Sequence, residues 1–184
     1  MGGVDKGLQD FHGQPLALHA LTRLRPQVGP LILSANRHLD AYAAFGVPVL
    51  PDADAEFAGP LAGMLAGLTH CTTQFLATVP CDAPLFPLDL VERLAAVDAD
   101  IVVATAPDDQ GVQRLQPVFC LLRADLRSSL AQFLANGGRK VGQWMAQHHC
   151  KRVAFGEAAA FANANTQNEL DEIQHRRMHL PLIE

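Results

Sequence analysis

Short apolar runs alternate with longer segments of helical period along most of the chain. Leu31 to Ser34, Val47 to Leu50, Phe75 to Val79, Ile101 to Ala104, Pro117 to Leu122 and Val153 to Phe155 are compact runs rich in β-branched and aromatic residues, and each predicts a strand. The Phe75 run reads as a buried one, since all but Thr78 of its members are apolar. Between the runs, a helix is predicted from Pro15 to about Arg25, with proline at the first helical position. Further helices are predicted at Arg37 to Phe45 closed by Gly46, Leu61 to Thr69, Leu88 to Val97, Leu126 to Leu134 ended by Asn136 and two glycines, Val141 to His148, and Asn168 to Arg177. Residues 1 to 14, with four glycines and no helical period, read as loop.

Strands alternating with helices call for an α/β fold of three layers: a doubly wound, mostly parallel sheet with helices on both faces and right-handed crossovers. The pair from Ile101 to Leu122, with a turn at Pro107 to Gly111, adds one antiparallel strand. No linker divides the chain, so 1–184 is expected to be a single domain. A sheet of this kind ordinarily begins with a strand running into its first loop, whereas this chain begins inside the loop. A strand and half a loop, about 15 to 20 residues, are therefore expected ahead of Met1; the other reading is a rearranged sheet. A missing first strand leaves an open, apolar gap near the crevice.

Composition changes this picture by exclusion. A net charge of -5 argues against a nucleic-acid or acidic-membrane binder. No apolar run is long enough to span a bilayer, and no secretory pattern opens the chain, so a cytoplasmic location with reduced thiols is expected. Cys71, Cys81, Cys120 and Cys150 form no Cys-x-x-Cys pair. His148, His149 and Cys150 are adjacent residues that do not share a helix face, and a solvated helix end describes them better than a metal site.

The chemistry concentrates where the Phe75 run stops at Pro80. Asp82 follows, just past the C-terminal end of a strand, where ligands bind in open α/β sheets. An acid there holds a divalent cation against a phosphate, or it caps the helix that follows. Lys6 lies in a glycine-rich loop, and alone it reads as an exposed loop lysine. Asp52 reads equally as a turn aspartate or a ligand contact. Gly59, Gly63 and Gly67 give a smooth helix surface for close packing on a sheet.

Five stretches then carry a resemblance: Met1-Gly2-Gly3-Val4-Asp5-Lys6-Gly7, Ser34-Ala35-Asn36-Arg37-His38, Gly59-Pro60-Leu61-Ala62-Gly63, Val79-Pro80-Cys81-Asp82-Ala83-Pro84 with Phe86-Pro87, and Asn163-Ala164-Asn165-Thr166. In this order the chain resembles the molybdenum cofactor guanylyltransferases, Rossmann-like nucleotidyltransferases. The resemblance implies transfer of GMP from GTP to the phosphate of molybdopterin, with pyrophosphate leaving. It implies Lys6 and Asp82 as catalytic residues and Asp82 as the Mg2+ ligand. It implies Lys6, Ser34, Asp52, Gly59, Gly63, Asn163 and Asn165 as substrate contacts, with Asp52 toward guanine and the two asparagines toward the pterin. A monomer is expected, with molybdoenzymes or their chaperones as receivers of the product.

Two departures stand out. The family's Leu-Ala-Gly-Gly stretch and the basic residue before Met-Gly-Gly are absent, which implies weak GTP binding and little or no transfer by a chain this short. Ser34 replaces an asparagine, and a hydroxyl offers fewer hydrogen bonds. The alternatives are a molybdopterin cytidylyltransferase or sugar-phosphate nucleotidyltransferase, and a non-catalytic pterin carrier of the same fold.

Overall fold

The computed structural model describes residues 5–51 and 59–163. Asp52, Asn165 and the helix predicted at Asn168 to Arg177 lie outside them. In chain order the described elements are a one-turn 3-10 helix at Lys6–Leu8, a small hairpin of β1 (Asp10–Phe11) and β2 (Gln14–Pro15), α1 (Leu16–Leu24), β3 (Leu33–Ser34), α2 (Leu39–Ala43), β4 (Val49–Leu50), α3 (Pro60–His70), β5 (Phe75–Thr78), α4 (Leu90–Ala95), β6 (Ile101–Pro107), β7 (Gln113–Arg123), α5 (Arg127–Ala135), α6 (Val141–Met145) and β8 (Cys150–Ala154), with short 3-10 turns between them.

The main sheet has the order β5-β7-β6-β8. β7 pairs antiparallel with both β5 and β6, and β8 pairs parallel with β6. Three of its strands therefore run one way, and β7 alone runs against them. A separate parallel pair joins β3 to β4, with the Leu33 N–H donating to Pro48 at 2.9 Å and the Ala35 N–H to Leu50 at 3.0 Å.

Alternation along β6 and β7 sends side chains to two cores, one on each face. Val102, Ala104, Phe119 and Leu121 pack with Ala20 and Leu24 of α1 and with Leu90 and Leu94 of α4. Ile101, Val103, Cys120 and Leu122 pack with α3, α5 and Trp144 of α6. This is the three-layer α/β architecture that the continuous apolar run at Ile101 calls for, because a strand covered on both faces has no polar side to show. Burying a large apolar side chain there contributes on the order of 2 kcal/mol.

Several details differ from the sequence reading: residues 10–15 form the β1–β2 hairpin, Pro15 is the N-cap of α1 and not its first residue, and Cys150 opens β8 where a helix end was expected. The strand expected to start at Pro117 runs from Gln113 to Arg123, and its register slips between the Val103–Cys120 and Ala104–Gln116 pairs. Pro117 lies in that slip, and lacking an N–H it cannot bond a central ladder, so the strand bulges around it instead of ending. β5, expected to be buried, is only half-buried, and Phe75 is 39% exposed. The reason is the layout: among the described residues β5 pairs only with β7 and β3 only with β4, and a hollow lies between the two strands.

Candidate active site

Asp82 projects from the turn after β5, and the turn is anchored on both sides. Ala83 and Phe86 are fully buried beneath α1. From α1 and the turn after it, Arg23 donates to the carbonyl of Phe86 and Gln27 to that of Pro87 at 3.2 Å, while the Gln27 amide oxygen accepts from the Val91 N–H at 3.0 Å. The helix that follows begins at Leu90 with Asp89 at its N-cap position, so the capping role open to Asp82 on sequence grounds is not the one it fills.

Lys6 lies beside Asp82 on the lining of the hollow. Asp5 accepts from the Gly7 N–H at 3.2 Å and closes the turn Lys6–Leu8. This brings the Lys6 ammonium to 3.7 Å from an Asp82 carboxylate oxygen, with the Asp82 side chain 15% exposed. Burial holds the Asp82 carboxyl above its ordinary range, although the Lys6 charge pulls the other way.

The hollow has a volume of about 680 Å³. Its lining includes the polar residues Asp5, Lys6, Ser34, Arg37, Asp82 and Asn163 together with apolar residues of α1, α3, β3 and β5. Gly59 precedes α3 with φ 111°, a conformation that side chains rarely adopt, and it opens the helix N-terminus onto the hollow. Gly63 has a different reason: a Cβ there would meet the Ser34 Oγ at 3.3 Å. A Cβ on Gly67 would stand 2.9 Å from Leu76, so the smooth face of α3 does pack closely on both strands that border the hollow.

Six residues singled out in the sequence, Lys6, Ser34, Gly59, Gly63, Asp82 and Asn163, thus line one hollow. Asp52 and Asn165 lie outside the described residues. Sequence reasoning missed Asp5, Arg37 and Tyr42, which line it too. Asp5 and Arg37 lie within stretches that carry the resemblance, whereas Tyr42 carried no signal beyond being the single tyrosine of the chain. Among the described residues, no three His, Cys, Asp or Glu side chains converge as a ready metal cage.

Residues 1–153 match the family described as MobA-like NTP transferase domain. The chain is 56% identical to a molybdenum cofactor guanylyltransferase of Methylibium petroleiphilum over 185 residues, covering 97% of this chain and 91% of the relative. It is also 56% identical to one of Bordetella petrii over 177 residues, covering 94% and 90%. Among solved structures, molybdopterin-guanine dinucleotide biosynthesis protein A of Archaeoglobus fulgidus superposes with a TM-score of 0.77 at 16% identity, over 97% of this chain and 93% of that one. The 2-C-methyl-D-erythritol 4-phosphate cytidylyltransferase of Thermus thermophilus gives 0.75 at 14% identity, over 94% of each. At such identities these two likenesses speak for the nucleotidyltransferase fold alone.

Proposed function

This chain belongs to the MobA-like NTP transferase family, and on that premise we propose that it transfers GMP from GTP to the phosphate of molybdopterin. A phosphate oxygen of the pterin attacks the α-phosphorus of GTP, the bond between the α- and β-phosphates breaks, and pyrophosphate leaves with the electron pair. Residues 1–184 act as one nucleotidyltransferase domain in this reading.

The observation that carries the reading is the meeting of Lys6 and Asp82, 3.7 Å apart on the lining of the hollow between β3 and β5. Such transfer needs in-line placement and neutralised charge more than covalent help. Lys6 supplies a positive charge to the phosphates. The N-terminus of α3, opened by Gly59, borders the same hollow and adds its dipole. Asp82 would hold a magnesium ion through its carboxylate, a hard oxygen donor beside the phosphate-directed Lys6. Bound there, the cation supplies Lewis-acid stabilisation of the phosphate oxygens.

Ser34 donates or accepts one hydrogen bond at the nucleotide side, and Asp52 accepts from the guanine edge. Asn163 and Asn165 hold the pterin side. The protein works as a cytoplasmic monomer, its product passing to molybdoenzymes or their chaperones; in support, no described helix is long and apolar enough to cross a membrane.

Asp82→Asn in the full-length protein is expected to abolish magnesium-dependent transfer while the fold stays intact by circular dichroism; transfer near the wild-type rate removes the metal assignment. Isothermal titration with GTP, ATP, CTP and UTP is expected to show preference for GTP. Preference for CTP turns the reading into a cytidylyltransferase.

A further inference from the structure

We propose that Tyr42 is a positioning residue for this transfer: its hydroxyl fixes Asp5, and Asp5 fixes the single turn that carries Lys6 to Asp82. The inference rests on the reading of Lys6 and Asp82 given above.

Tyr42 sits on the short helix α2 and is 3% exposed. Its ring packs with Ala17, Leu21 and Leu33, and Phe45 meets it edge-on at 5.7 Å. A phenylalanine would satisfy that packing equally well, so the hydroxyl needs another reason. It donates to Asp5 Oδ1 at 2.5 Å, the same oxygen that accepts the Gly7 N–H at 3.2 Å. Asp5 therefore joins a rigid part of the core to the backbone of a three-residue turn. Burial and the bond to Asp5 hold the hydroxyl firmly protonated, so it stays a donor.

Gly7 shows how tightly the turn is seated. A Cβ there would lie 2.4 Å from the Tyr42 hydroxyl oxygen and 3.3 Å from the ring carbon that bears it. Gly7 is buried and its φ is not of the left-handed kind, so close approach to Tyr42 is what excludes a side chain at this position. Lysine is a flexible point cation, and its effect on a transferring phosphoryl group depends on where its backbone is held. The core supplies that hold through one phenol.

The test is steady-state kinetics on the full-length protein. In Tyr42→Phe, kcat is expected to fall about tenfold, with KM for GTP and the melting temperature changed far less, because the loss falls on transition-state placement. Asp5→Asn, which keeps an accepting oxygen, is expected to retain more activity than Asp5→Ala. Gly7→Ala is expected to lower both kcat and melting temperature, and adding Tyr42→Phe to it restores part of the melting temperature by removing the oxygen that clashes.

Lys6→Ala is measured alongside. If it is inactive while Tyr42→Phe turns over at the wild-type rate, the role of Tyr42 is overturned and the reading of the site stands. If Lys6→Ala is fully active, the reading itself fails. A Gly7→Ala variant that melts and turns over like the wild type overturns the close seating on which the proposal depends.

Discussion

Asp82 is held at a cost that its surroundings make measurable. Its folded-state pKa is raised, with burial the largest cause and Lys6 opposing it. A raised carboxyl favours the protonated form in the folded protein. The stability it contributes is therefore full below the unfolded pKa of about 3.9 and is lost as pH rises through the folded value. In a chelator, Asp82→Asn is thus expected to melt above the wild type at pH 7.5, with the gap closing toward pH 4; thermal scans of both proteins across that range check it. A gap that widens toward pH 4 contradicts the desolvation argument. The site residues were legible in sequence to the extent that their chemistry is local: Asp82 follows a strand, and Lys6 lies among glycines. Tyr42 was not legible, because its partner Asp5 is 37 residues away and only the packing of α2 brings the two together.

Among the elements, strand β6 and helix α3 were the most readable. β6 is a continuous apolar run, and the glycines of α3 anticipate its close packing on β3 and β5. The ends of elements were less so. The predicted strand opened at Pro117, yet the long β7 passes through that proline by bulging. The half-exposure of β5 is invisible in its own residues, being set by what lies beside the strand. The β6–β7 hairpin depends on Asp108 at its turn, which accepts from the N–H groups of Gln110 at 3.0 Å and Val112 at 2.9 Å and from Arg114 at 2.7 Å. These bonds, that of Arg114 first, hold the Asp108 carboxyl below its ordinary range. The stability it contributes is present above the unfolded pKa and lost as pH falls through the lowered folded value. Asp108→Ala is expected to lower the melting temperature modestly at pH 7, with the difference shrinking below about pH 4; a difference that persists at pH 2 would show that packing, not charge, supports the turn.

At the scale of the whole molecule, the two cores clamp the sheet on both faces at β6 and β7, while β3 and β5 border the hollow from opposite sides. This gives different regions different reasons to be ordered: the centre of the sheet by burial, the site by a few hydrogen bonds to the core. It also has a consequence for the main chain of β5. Ala124 donates to the Gln74 carbonyl at 2.9 Å, and antiparallel bonding alternates from there, so Leu76 and Thr78 bond β7 while the Ala77 N–H points the other way. Among the described residues no strand pairs β5 on that side, and Ala77 lines the hollow there. Deuterium should therefore replace its proton early, between two slow neighbours, and exchange followed by NMR would read the wetness of the molecule's interior from a single alanine.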